Sequence, residues 1–72
     1  MSTIVDARGL SCPQPVLMTM DEIKKMSQGE IEILVDTDAS KENVIRAAES
    51  KGWAVKGTMG EGGGYRILIV RS

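Results

Sequence analysis

"EIEILVD", residues 30–36, places Ile31, Ile33 and Val35 on one face and Glu30, Glu32 and Asp36 on the other. A period of two belongs to a β-strand. The division of character makes it a half-buried strand, with one face on a core and one toward water. Such a sheet needs cover on one side only, and the segments flanking it have the pattern to supply that cover. Upstream, Pro13, Val16, Leu17, Met20 and Ile23 recur at three- and four-residue steps, which predicts one apolar helix face. Asp21, Glu22, Lys24 and Lys25 fall largely on the other face, and Gly29 is the stop signal. Downstream, Asp38-Ala39-Ser40 offers an N-cap, and Val44, Ala47, Ala48 and Lys51 step along a second helix ended by Gly52.

Further out, Thr3–Ala7 is short and β-branched and reads as a strand. Trp53–Lys56 and Tyr65–Val70 read as the last two strands, joined by Gly60–Gly64 as a flexible hairpin loop. The order βαβαββ predicts an α/β (α+β) two-layer sandwich with both helices on one face of the sheet. No repeat, linker or low-complexity segment interrupts it, so residues 1–72 are expected to form a single domain.

Composition excludes several function classes. Nine basic and ten acidic residues give a net charge of −1, which argues against a dedicated nucleic-acid binder. The absence of histidine removes the Cys–His pair, the Ser–His–Asp triad and most zinc sites. Met18, Met20, Met26 and Met59 do not make a soft-metal site without paired Cys or His; Met20 reads as core filler. Gly60–Gly64 lacks the Lys-Ser/Thr of a phosphate loop and precedes a strand. No metal and no cofactor is therefore expected. One cysteine cannot form an intramolecular disulfide, and there is neither a signal peptide nor a long apolar run. A soluble protein of the reducing cytoplasm, without membrane partners, is the expectation.

That one cysteine, Cys12, stands directly before Pro13, with Pro15 two residues further on. Proline is tolerated in the first helical turn, where backbone N–H groups lack intrahelical partners, and disfavoured beyond it. The spacing therefore puts Pro13 near the first helical position, Pro15 near the third and Cys12 at or next to the N-cap. The remaining free N–H groups, those of Gln14 and Val16, then point toward the sulfur. The positive end of the helix dipole favours a thiolate there, so Cys12 is expected to titrate below the free value of about 8.5. Arg8 can add positive potential from the preceding loop, and Gly9 can supply a positive φ within it. The competing reading is a small buried hydrophobe, the commoner fate of a lone cysteine.

Asp6, Gly9, Leu10, Cys12, Pro13 and Pro15 reproduce a D-x-x-G-L-x-C-P-x-P signature. In this the chain resembles the TusA/SirA-like small sulfur-carrier proteins, over essentially its whole length. The resemblance implies a sheet of order 1-2-4-3 with strand 4 antiparallel to the others. It also implies that Cys12 accepts sulfane sulfur as a persulfide and relays it to an acceptor protein with a reactive cysteine. In one branch the donor is a cysteine desulfurase using pyridoxal phosphate, and the relay ends in tRNA thiolation. Residues 36–44 lack the Asp-Pro of that branch. "DASKENV" and "GGGYRILI" look more like the N-terminal domain of YedF-like proteins associated with selenium metabolism.

Two functions of different class follow. The first is a persulfide carrier, a component of a sulfurtransferase system and not a stand-alone enzyme. A thioredoxin-type oxidoreductase would need a second cysteine. The second is a non-catalytic regulatory or RNA-binding module of the same architecture, which the near-zero net charge counts against.

Overall fold

The computed structural model describes residues 2–10, 14–26 and 28–71, and of Ser2 and Glu61 the backbone alone. The elements follow the expected order: β1 (Ser2–Asp6), α1 (Gln14–Lys25), β2 (Gly29–Val35), α2 (Asp38–Ser50), β3 (Ala54–Glu61) and β4 (Gly64–Arg71). The sheet order is β1-β2-β4-β3. β1 and β2 are parallel, and β4 runs antiparallel to both β2 and β3. This is the mixed 1-2-4-3 sheet that the resemblance implied, in a two-layer α+β arrangement.

The alternation of residues 30–36 sets the core. Ile33 lies between Val5 of β1 and Ile67 of β4, and Ile31 lies between Thr3 and Ile69. Ile31, Ile33, Val35, Ile67 and Ile69 are inaccessible to solvent and cluster with Ile23 of α1 and with Val44 and Ala48 of α2. Burying each such side chain contributes about 1.5–3 kcal/mol. On the opposite face Glu32 accepts a hydrogen bond from Arg66 at 3.0 Å, and Glu30 lies 3.7 Å from the Lys56 ammonium. The exposed Glu30–Lys56 pair contributes at most about 1 kcal/mol, while Glu32 and Arg66 are half-buried.

Four expectations need correction. The buried row of α1 is Pro15, Thr19 and Ile23, while Leu17, expected inside, is 51% exposed. The four-residue step carries this row, and Leu17 lies nearly opposite Pro15 on the helix. Thr19 can be buried because its hydroxyl donates to the Pro15 carbonyl at 2.9 Å. In α2 the buried row is Ser40, Val44 and Ala48, and Lys51 is the exposed C-cap. The N-cap is Thr37, whose side chain accepts from the Ser40 N–H; Asp38 is already in the first turn, where its charge suits the helix dipole. Finally, β3 and β4 run on through Gly60, Glu61 and Gly64, leaving a two-residue turn at Gly62-Gly63. Both turn glycines have positive φ, +56° and +86°, the pattern of a type I′ turn that matches strand twist. The glycines thus serve turn geometry, where a long flexible loop was expected.

Because β1 and β2 are parallel, their C-terminal ends lie together and feed the starts of both helices. The pairing of Val35 with Tyr65 brings the start of β4 to the same end. Asp6, Gly9, Leu10 and Pro15 of the sequence motif occupy this end of the molecule.

Candidate functional site

The segment after β1 is a tight turn. The Ala7 N–H donates to Leu34 O at 2.8 Å, extending the ladder by one residue, and the Leu10 N–H returns to Ala7 O at 3.3 Å. Gly9 has φ +79° and no non-glycine residue of the described chain has a positive φ, so Ala7–Leu10 has the pattern of a type II turn with glycine at its third position. A Cβ on Gly9 would meet nothing within 4 Å. Conformation alone requires glycine here. Gly9→Ala should therefore cost about 1–3 kcal/mol of strain in spite of the open space, as read by chemical denaturation. An unchanged midpoint would contradict the turn assignment.

All three N–H groups of Arg8, Gly9 and Leu10 are engaged. Arg8 N–H donates to Asp6 Oδ1 at 3.2 Å, and Gly9 N–H donates to Asp36 Oδ2 at 2.8 Å. The Arg8 guanidinium also grips Asp6 with two bonds, Nε to Oδ1 at 3.0 Å and Nη2 to Oδ2 at 2.9 Å. Arg8, expected to bring positive potential toward the thiol, thus brings a charge matched by Asp6. These side-chain bonds from Arg8, followed by its backbone N–H, lower the Asp6 pKa from 3.8 to about 2. The depressed value means that the folded state binds fewer protons than the unfolded chain. The contribution of this pair to stability is present above pH 3.8 and is lost as pH falls through about 2. An NMR titration should place Asp6 near 2, and Arg8→Ala should return it toward 3.8. A midpoint that ignores Arg8 would show the pair to be absent in solution.

The first turn of α1 follows. Gln14 is its exposed first residue and Pro15 its second, with the proline ring fully buried. The N–H groups of Gln14 and Val16 precede the first carbonyl available within the helix, and Pro15 has none. Pro15 was expected to rigidify this turn; it is also a packing residue. Leu10 and Leu17, 39% and 51% exposed, present apolar surface on the turn and on the helix. The expectations for Cys12 and Pro13 lie outside the described residues.

On the α2 side of this end, Tyr65 hydrogen-bonds to Asp38, which raises the phenol pKa above 10.0. The Lys41 ammonium stands 4.6 Å from the centre of the Tyr65 ring. Among the expected site residues, the structure places Arg8, Gly9, Gln14 and Pro15 along the β1–α1 connection. It adds Asp36, which the sequence reading counted only as the polar edge of a strand. The signal that finds it is register: Asp6 pairs with Leu34, so Asp36 lies just beyond the level of the turn. Among the described residues no group of three or more His, Cys, Asp or Glu side chains could hold a metal ion. No helix among them is long and apolar enough to cross a membrane.

A 1-2-4-3 sheet, two helices and a pinned glycine turn before the first helix define a SirA-like domain. A SirA-like protein of Desulfitobacterium hafniense, known from a crystal structure, superposes with a TM-score of 0.87 at 29% identity, covering 97% of this chain and 96% of that one. The chain belongs to the sulfurtransferase TusA family, whose model matches residues 3–71. It is 32% identical over 69 residues to the sulfur carrier protein TusA of Allochromatium vinosum, covering 94% of this chain and 91% of that one. It is 33% identical over 66 residues to a putative sulfur carrier protein of Methanocaldococcus jannaschii, covering 90% and 88% respectively. A putative sulfur carrier protein of Aquifex aeolicus is 42% identical over 41 residues, which are 57% of this chain but only 21% of that longer protein. These relatives support a sulfur-carrier role, and such a role implies a sulfur donor and a sulfur acceptor.

Proposed function

We propose that the domain accepts sulfane sulfur as a persulfide on Cys12 and relays it to a cysteine of a partner protein. The observation that supports this best is the turn at Arg8–Leu10, whose every N–H is engaged two residues before the sole cysteine. In sequence the pinned turn ends two residues before Cys12, and the buried Pro15 follows three residues after it. The N–H groups of Gln14 and Val16 and the positive helix terminus favour an anionic sulfur.

The chemistry is an exchange of the thiol–disulfide type. The Cys12 thiolate attacks the terminal sulfur of a donor persulfide, as on a cysteine desulfurase. A sulfur–sulfur bond forms to Cys12 while the donor's sulfur–sulfur bond breaks, and the donor cysteine leaves as its thiolate. An acceptor thiolate then attacks the terminal sulfur held on Cys12, and Cys12 leaves as thiolate in turn. No net oxidation occurs and no cofactor on this chain is needed. The sequence offers no second cysteine to resolve the intermediate within the chain. The chain works as a carrier in the cytoplasm, with protein partners, no membrane and no direct nucleic-acid contact. Relay toward tRNA thiolation or toward sulfur and selenium metabolism are its two candidate destinations.

Intact-mass spectrometry after incubation with a cysteine desulfurase and cysteine tests the loading step. A gain of one sulfur, removed by reductant, is the expected result. No gain with several desulfurases, together with salt-sensitive RNA binding, would overturn the proposal in favour of the binding module.

A further inference from the structure

We propose that the outer edge of β3 pairs with the same edge of a second copy of this chain, so that the protein self-associates through residues 57–60 into a weak two-fold dimer. The inference is independent of the role of Cys12. Among the described residues β3 is the last strand of the sheet, with β4 as its one neighbour, so half of its backbone groups face outward. The turn determines which half. Its type I′ geometry bonds Gly64 N–H to Glu61 O, and bonded and unbonded pairs alternate along an antiparallel ladder. Met59 lies opposite Arg66, Thr58 opposite Ile67 and Gly60 opposite Tyr65. Thr58 and Gly60 therefore turn their N–H and C=O groups away from β4.

Sheet edges are ordinarily guarded by charge, by proline or by short length. Residues 57–60 carry no charge and no proline, and all four are exposed. Lys56 directs its ammonium across the sheet to Glu30 at 3.7 Å, away from the edge. The opposite edge, β1, is only five residues long and ends on the Asp6–Arg8 ion pair. Gly57 stands out on β3. It has no positive φ, and a Cβ there would meet nothing within 4 Å. Neither conformation nor space in this chain requires glycine, and the bulge between Val55 and Gly57 is not the kind that needs a positive φ. Glycine weakens a strand relative to alanine, and within a strand it marks close approach by another molecule. Self-pairing supplies that approach. Opposite residues of an antiparallel pair share a face, so the two-fold axis must pass through a residue, and Thr58 is the centre that matches Met59 with Gly57. The two Thr58 residues then exchange their free backbone hydrogen bonds and form a favourable cross-strand pair. Met59, 61% exposed, falls on Gly57 of the second copy, where a hollow of about 230 Å³ lined by Lys56, Gly57, Met59 and Leu68 receives it. No like charges meet on the axis. One strand per copy covers less than the about 800 Å² per partner of a standard interface, so the dimer exchanges with monomer.

The test is sedimentation equilibrium of the full chain from about 10 µM to about 1 mM, the range for a small interface, with NMR dilution shifts over the same range. Reductant is present throughout, so that no disulfide links two copies. The weight-average mass should rise from monomer toward dimer, and the amides that shift should centre on residues 57–60. Gly57→Lys and Met59→Lys should each weaken association more than about tenfold, because two-fold symmetry applies each change twice. Both positions face open space in the single chain. The urea midpoint of each variant in dilute solution should therefore stay within about 0.5 M of wild type, which separates loss of pairing from loss of fold. A chain that stays monomeric at about 1 mM, association beyond a dimer, dilution shifts centred on β1 or on a helix, or a dimer that either folded variant leaves intact would overturn the proposal.

Discussion

Gly64→Ala should remove a large part of the stability of the domain. Gly64 is buried at the start of β4, and a Cβ there would lie 2.5 Å from Val35 O and 3.2 Å from Asp36 Cα. Both are backbone atoms at the end of β2 and cannot swing aside as a side chain would. Either β4 moves away from β2 or the register at Val35–Tyr65 opens. Overpacking against fixed neighbours costs about 1–3 kcal/mol and sometimes more. A domain of this length has only about 3–5 kcal/mol to lose. With a urea m-value of about 1 kcal/mol/M, the unfolding midpoint should fall by roughly 1–3 M. A fall below about 0.5 M would show that the β2–β4 pair yields more easily than its geometry indicates. Gly64 and Gly9 are thus required for opposite reasons: Gly64 for lack of space, Gly9 for its positive φ.

Cys12→Ser should accept no sulfur at all. Serine presents an oxygen whose proton is not lost near neutral pH, and the thiolate is the nucleophile of sulfur exchange. The chain has no other cysteine to take its place. Loading by a desulfurase should drop to the background of the assay, and far-UV circular dichroism should confirm that the variant is folded. Residual loading at a substantial fraction of the wild-type level would place the sulfur on some other group and remove Cys12 from the mechanism.

Much of the architecture was legible because its strongest signal is local. The alternation at Ile31, Ile33 and Val35 fixed which face of β2 is buried, and the two helical periods identified what covers it. The phase of α1 was less legible. Thr19 looks polar in sequence, yet its hydroxyl is satisfied inside its own helix by Pro15 O, and Leu17 gave up its place in the core. The cap of α2 moved one residue, to Thr37, because Thr, Asp and Ser are all competent at that position. Gly60–Gly64 looked like a loop because a run of glycines has low strand propensity; the turn's demand for two positive φ angles uses only Gly62 and Gly63.

At the site, the turn glycine could be placed from the sequence, whereas Pro15 is the second residue of α1 and not the third that the spacing suggested, because the helix begins at Gln14. The two carboxylates that pin the turn could not. Asp6 is part of the recurring signature, but its grip on Arg8 depends on rotamers. Asp36 reaches Gly9 only because β1 and β2 pair in parallel in one particular register, which no short-range pattern encodes. Cys12 and Pro13 lie outside the described residues, so their roles rest on sequence and on the family.

The most direct test follows the sulfur itself. The protein is loaded by a cysteine desulfurase from cysteine labelled with radioactive sulfur, separated from the donor, and mixed with a second protein bearing a reactive cysteine. The account predicts that label appears on wild type, is absent from Cys12→Ser, moves to the acceptor in a reductant-sensitive form and leaves Cys12 free to be alkylated. Label that never appears on the wild-type chain, appears equally on Cys12→Ser, or stays on Cys12 in the presence of every acceptor tried would contradict it.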